Sequence, residues 1–154
     1  MGVDLLGVGA PIAGIFTSNA LYAAPLPAVL SRERIGDLGP LNPLPATFVV
    51  LSTLAWVFYG LIIQNPFLVA SNAPGSLAAI GALVVMLPMM KGHPSLRSVQ
   101  GLLLVGCLIN FCLWTYFVFS GMSSEDFGAL LGIYAAGFCI ILFASPLSTI
   151  TPTP

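Results

Sequence analysis

The chain has 154 residues, 58% of them hydrophobic and only 6% charged, with a mean hydropathy of +1.03. Soluble domains carry about 25% charged residues, so a water-soluble globular protein is excluded. A net charge of -1 likewise excludes the concentrated basic surface that nucleic acid requires.

At about 20 apolar residues per crossing, the length leaves room for about five transmembrane helices and no separate soluble domain. The first apolar stretch covers about residues 8–30 and ends on Ala24-Pro25-Leu26. A cleaved signal peptide is disfavoured, because its apolar core would follow a positive segment and the early charge here is Asp4. A polar loop over 31–42 holds Arg32, Glu33, Arg34 and Asp37, and Pro40, Pro43 and Pro45 lead into a second span over 45–63. Gln64-Asn65-Pro66 is a tight turn into a third span, 67–90, whose early part carries Asn72-Ala73-Pro74-Gly75. Gly92, His93 and Pro94 break the chain in the loop 91–98. A fourth span covers 99–119, and residues 120–126 return the chain to a fifth that ends near 150.

Near the end of that fifth span Ser145-Pro146-Leu147 repeats the Ala24-Pro25-Leu26 pattern. Proline removes a backbone donor and bends a helix, so Pro25 and Pro146 predict two bent helices at corresponding places. That is the signature of repeats around a shared transport pathway. The basic residues Arg32, Arg34, Lys91 and Arg97 all fall in two alternate loops, which five spans place on one side. Short loops rich in Lys and Arg stay cytoplasmic, so the N-terminus is expected outside.

The third span holds the residue of most interest. An amide facing hydrocarbon is costly, so Asn72 is expected to face protein or a wet cavity. Two readings stay open: a cap for a helix starting at Pro74, or a donor and acceptor for a polyol ligand. Trp56, Phe58, Tyr59, Trp114, Tyr116 and Phe117 read first as an interfacial aromatic belt, with Trp56 deep enough to line a pathway. Gly128 and Gly132 read as helix packing, His93 as a solvated loop residue, and Cys107, Cys112 and Cys139 as small packing residues. No catalytic, phosphate-binding or metal-ligating constellation is visible, so neither an enzyme nor a cofactor is expected. Ion-driven carriers need ionisable groups within the membrane; their lack points to a neutral solute moving down its gradient.

Taken in order, several motifs resemble the SWEET family of sugar facilitators, relatives of the bacterial SemiSWEETs. They are Ala24-Pro25-Leu26-Pro27, Gly39-Pro40-Leu41-Asn42-Pro43-Leu44-Pro45, Trp56-Val57-Phe58-Tyr59-Gly60, the run from Asn65-Pro66-Phe67 to Asn72-Ala73-Pro74-Gly75, and Ser145-Pro146-Leu147-Ser148. The resemblance implies an all-α transmembrane fold: a three-helix repeat (1–90), a linker loop and helix (91–125), and the first helix of a second repeat (126–154). In such parallel repeats the two bundles are related by an axis along the membrane normal. It also implies substrate contact through Asn72, with a looser match at Trp56, and helix-bending roles for Pro25, Pro45 and Pro146. The family's Asn-Gly pair reads Asn72-Ala73 here, and its sixth and seventh helices have no counterpart.

The expected function is therefore passive, bidirectional transport of a mono- or disaccharide by alternating access, in the plasma membrane and as a homo- or hetero-oligomer. The competing expectation is a truncated subunit or non-transporting membrane partner that assembles with a full-length relative.

Overall fold

Proline, asparagine and glycine set the helix ends. The computed structural model describes the backbone of residues 5–147 and the side chains of residues 7–140. Helices α1 (Leu5–Ala23) and α2 (Leu26–Ile35) are separated only by Ala24 and Pro25. Ala24 N still donates to Ala20 O and Val29 N to Pro25 O, at 3.0 and 3.1 Å. The break falls at Pro25 and Pro27, neither of which has an N–H to give. Together the two helices make one span, Gly7–Ile35. The sequence reading ended this span at residue 30, but α2 continues through Arg32-Glu33-Arg34. Basic residues are favourable in a last helical turn, where they meet the negative end of the dipole. Gly36, at φ +75°, then closes the helix with its N–H on the Arg32 and Glu33 carbonyls.

Helix α3 (Pro43–Ile62) begins where the Asn42 side chain accepts from Leu44 N at 3.1 Å. Helix α4 (Pro66–Met89) begins likewise at Asn65, which accepts from Phe67 N and Leu68 N at 3.0 and 3.3 Å. In both, proline occupies the first position, where a missing N–H costs nothing. Helix α5 (Ser95–Ser120) ends on Gly121 at φ +65°. His93 stays exposed in the loop before it, its Nδ1 2.6 Å from Ser95 Oγ. Helix α6 spans Ser124–Leu147. Its first turn is closed by Ser123, which accepts from Asp126 N and donates to the Asp126 carboxylate at 3.1 and 2.6 Å.

Among the described residues four stretches are long and apolar enough to cross a bilayer: Gly7–Ile35, Pro43–Ile62, Pro66–Met89 and Ser95–Ser120. Helix α6, at 24 residues, is as long as these and packs beside α3. Phe16, Leu77, Leu104, Phe119 and Ile133 lie on the outer surface, as suits a protein solvated by lipid. The chain is an all-α, multi-pass integral membrane protein.

Helix order in space differs from order in sequence. Helix α4 packs against α1, α2 and α3, and α3 packs against α5 and α6. Helix α4 therefore stands between the first span and α3. Close approach relies on glycine, as expected where lipid supplies no hydrophobic drive. A methyl group on Gly106 would strike Leu51, and one on Gly60 would strike Leu68 and Val69. Gly128 and Gly132 face Tyr59, with Ile63 also against Gly128, so this pair serves packing within the chain.

Two buried clusters brace the ends. Val29, Leu38, Val50, Leu83, Met86, Met90 and Val99 pack together at the end carrying the basic residues. At the other end Phe127, Leu131 and Ile62 are covered by aromatic residues of α3, α5 and α6. Phe58 meets Trp114 at 5.0 Å, and Phe117 stacks on Phe127 at 4.6 Å. Much of the expected belt is thus an interhelical cluster, with Tyr116 left exposed. Cys107 and Cys112 lie on the outer surface, not in the packing.

One cross-helix bond repairs a defect. Pro74 lies inside α4 and cannot donate to the Ala70 carbonyl one turn earlier. Asn19 of α1 donates its Nδ2 to that carbonyl at 3.3 Å, and to Ile15 O in its own helix at 2.9 Å.

Candidate functional site

Standing on either side of α4, the first span and α3 leave a space between them. A cavity of about 370 Å³ lies there, within the ~300–1,000 Å³ usual for small-ligand sites. Leu21, Tyr22 and Pro25 form one wall with Val29 of α2. Pro45, Ala46, Val49, Ser52 and Thr53 of α3 form the opposite wall, below Leu41 and Asn42 of the preceding loop. Ala79, Ala82 and Met86 of α4 form the floor, and Cys139 reaches in from α6. Pro25 and Pro45 therefore face each other across the same space, each at a place where a helix lacks a backbone donor. Pro45 sits in the first turn of α3.

The cavity is mostly apolar, so its few polar groups carry any discrimination. Asn42 is already committed to capping α3, and the Thr53 hydroxyl donates back to Val49 O at 2.7 Å. The remaining polar groups are the Tyr22 hydroxyl, the Ser52 hydroxyl and the Cys139 thiol, the last two 3.9 Å apart.

Asn72 lies two turns into α4, which starts at Pro66. A capping role for a helix beginning at Pro74 is therefore ruled out. Its side chain is 8% exposed, with each polar atom engaged. Nδ2 donates to Leu68 O at 2.9 Å and lies 3.4 Å from Ser71 Oγ, while Oδ1 accepts from the Tyr22 hydroxyl at 3.2 Å. Trp56 donates its Nε1 to Cys139 Sγ at 3.4 Å. Asn72 and Trp56 are thus not in the wall of the cavity; each stands one hydrogen bond behind it, Asn72 behind Tyr22 and Trp56 behind Cys139. Pro146 falls in the last turn of α6, beyond the residues whose side chains are described.

A family model described as a sugar efflux transporter for intercellular exchange matches residues 10–94, more than half of the chain. The chain belongs to this family. The matched region begins inside α1, ends past α4, and contains Pro25, Pro45, Trp56 and Asn72. This sugar efflux family is one of transporters, not of enzymes. Among curated relatives, the bidirectional sugar transporter SWEET5 of Arabidopsis thaliana is 23% identical over 144 residues, covering 89% of this chain. The chain spans 58% of that relative's length. No solved structure matches it.

Tyr22 and Ser52 line the cavity without having been singled out by the sequence, and Cys139, expected as a packing residue, lines it too. Tyr22 lies three residues before Pro25 and therefore on the cavity side of the helix break. That spacing was the available signal. Nothing local marks Cys139, whose role depends on α6 lying beside α3.

Proposed function

We propose that this protein carries a sugar, a mono- or disaccharide, passively and in both directions across the membrane by alternating access. The observation that carries the reading is the cavity between the first span and α3, bordered by Pro25 and Pro45 in a chain of the sugar efflux family. Pro25 leaves the first span one hydrogen bond short, which lowers the cost of bending there, while Pro45, in the first turn of α3, fixes where that helix begins without costing it a bond. Rocking of the first span against α3 would open the cavity first to one side and then to the other. Discrimination rests on the polar end of the cavity, where the amide of Asn72 and the indole of Trp56 order the groups that face the solute. The apolar walls suit the C–H faces of a sugar ring. In this reading residues 1–90 are one three-helix repeat, 91–125 the linker, and 126–154 the start of a second repeat with Pro146 as its bend. The chain works in the plasma membrane as part of a homo- or hetero-oligomer.

The relative's printed activity, bidirectional sugar transport, supports the substrate class and the two-way direction. The test is uptake of radiolabelled glucose and sucrose into liposomes holding only this chain, with efflux from preloaded liposomes as the second arm. Counterflow in both directions, dissipating with the gradient and independent of ion gradients, is expected. Liposomes that take up neither sugar faster than empty ones would overturn the reading.

A further inference from the structure

The polar end of the cavity has a direction built into it. The Tyr22 hydroxyl has one proton, and that proton is given to Asn72 Oδ1. Asn72 cannot turn its amide around without cost, because Nδ2 is held by Leu68 O at 2.9 Å in the same helix. The Tyr22 ring is equally constrained, since it lies against Gly75 where no Cβ would fit. What Tyr22 presents to the cavity is therefore its oxygen lone pairs. Asn72 itself is 8% exposed and stands outside the cavity lining, with Tyr22 between it and the space.

We propose that Tyr22 is the residue that touches the sugar, and that it does so as an acceptor for one sugar hydroxyl. Asn72 is a positioning residue that fixes which way the Tyr22 proton points. This rests on the sugar-transport reading above and adds a chemical requirement to it. At one position of the sugar the hydroxyl must donate, so a substituent that can only accept does not replace it. An acceptor-only group there would set two lone pairs against each other.

The experiment measures equilibrium binding of glucose, or of sucrose if that binds better, to the full chain in lipid nanodiscs. The deoxyfluoro analogues of that sugar, in which one hydroxyl at a time becomes a fluorine that cannot donate, are measured beside it. The wild-type chain is expected to lose about tenfold or more for one analogue, within the range that one hydrogen bond supplies. Tyr22→Phe keeps the ring on Gly75 and removes only the oxygen. It is expected to bind the parent sugar about tenfold more weakly and to bind the sensitive analogue no worse than the parent. Asn72→Ala frees the Tyr22 proton to turn into the cavity, so it should relax the same discrimination.

A wild-type chain indifferent to every fluorine overturns the proposal without reference to any variant. So does a Tyr22→Phe chain that binds as tightly as wild type, or more tightly, which would make Tyr22 a plug over Asn72. A weakened Tyr22→Phe that still discriminates against the analogue would assign Tyr22 a structural role only, and also overturns it. If the wild-type chain binds neither glucose nor sucrose, the transport reading itself fails, and the inference falls with it.

Discussion

Gly75→Ala tests the contact on which the candidate site is built. A Cβ at this position would lie 2.6 Å from Tyr22 Cε2 and 2.8 Å from Cγ, with Cδ2 closer still. That is about 1 Å short of ordinary carbon–carbon contact, so the ring must move. Overpacking of this kind costs about 1–3 kcal/mol. Moving the ring also breaks the Tyr22–Asn72 hydrogen bond, at about 0.5–1.5 kcal/mol. Replacing glycine by alanine within a helix returns about 1 kcal/mol. The expected net loss is about 0.5–3.5 kcal/mol. Gly81, in the same helix, has nothing within 4 Å of its Cβ position, so Gly81→Ala carries the propensity gain alone. Reversible unfolding of both variants in mixed micelles, with the wild type, gives the comparison directly. Adding Tyr22→Ala to Gly75→Ala should recover part of the loss, as a favourable coupling of about 1–2 kcal/mol. A Gly75→Ala protein as stable as Gly81→Ala would refute the account, because the Tyr22 ring could not then lie against Gly75.

In a cysteine-free background, single cysteines at Ser31 and Ser124 should label from opposite sides of sealed vesicles; labelling from one side would end the five-span, N-terminus-outside topology. Asn72→Ala should weaken sugar binding by about 0.5–1.5 kcal/mol, roughly two- to twelvefold, through loss of the bond that orders Tyr22, while leaving helix content unchanged; full binding affinity in the variant would remove its positioning role. Pro25→Ala restores a backbone donor toward Leu21 O, and should slow exchange across liposomes more than it weakens binding; equal effects on both would count against rocking at this break. Asn19→Leu should destabilise the wild type by about 1–3 kcal/mol, but far less in a Pro74→Ala background, where α4 satisfies the Ala70 carbonyl itself. Additive losses in that double-mutant cycle would show that the cross-helix bond is not compensating for the proline.

The helix ends were legible because the residues that set them act locally. Asn42-Pro43 and Asn65-Pro66 each combine a side-chain acceptor with a residue preset for the first helical position, and the two helices start two residues and one residue before the expected place. The first span was misjudged for an equally local reason. Arg32-Glu33-Arg34 look like loop, yet charge in a last helical turn is favourable and Gly36 supplies the stop five residues after Ser31. Asn72 could be picked out as an amide in an apolar run. Its partner could not, because Tyr22 is 50 residues away and meets it only once α4 lies beside α1. The same holds for Trp56 and Cys139, separated by 83 residues. The helices read alike in composition, so nothing in the residues alone places α4 between the first span and α3, and every contact that depends on this order was out of reach.

The bond from Asn19 to the Ala70 carbonyl bears on how the chain enters the membrane. A helix released alone into hydrocarbon must satisfy its own backbone, and an open carbonyl there costs several kcal/mol. Helix α4, with Pro74 in its interior, cannot meet that demand by itself. Its missing donor sits on α1, which is synthesised and inserted earlier. The third crossing is therefore completed by the first, and α4 should leave the insertion machinery onto a waiting partner, not into free lipid. A chain shorn of its first helix would leave the Ala70 carbonyl open, even though every apolar residue of α4 is still present.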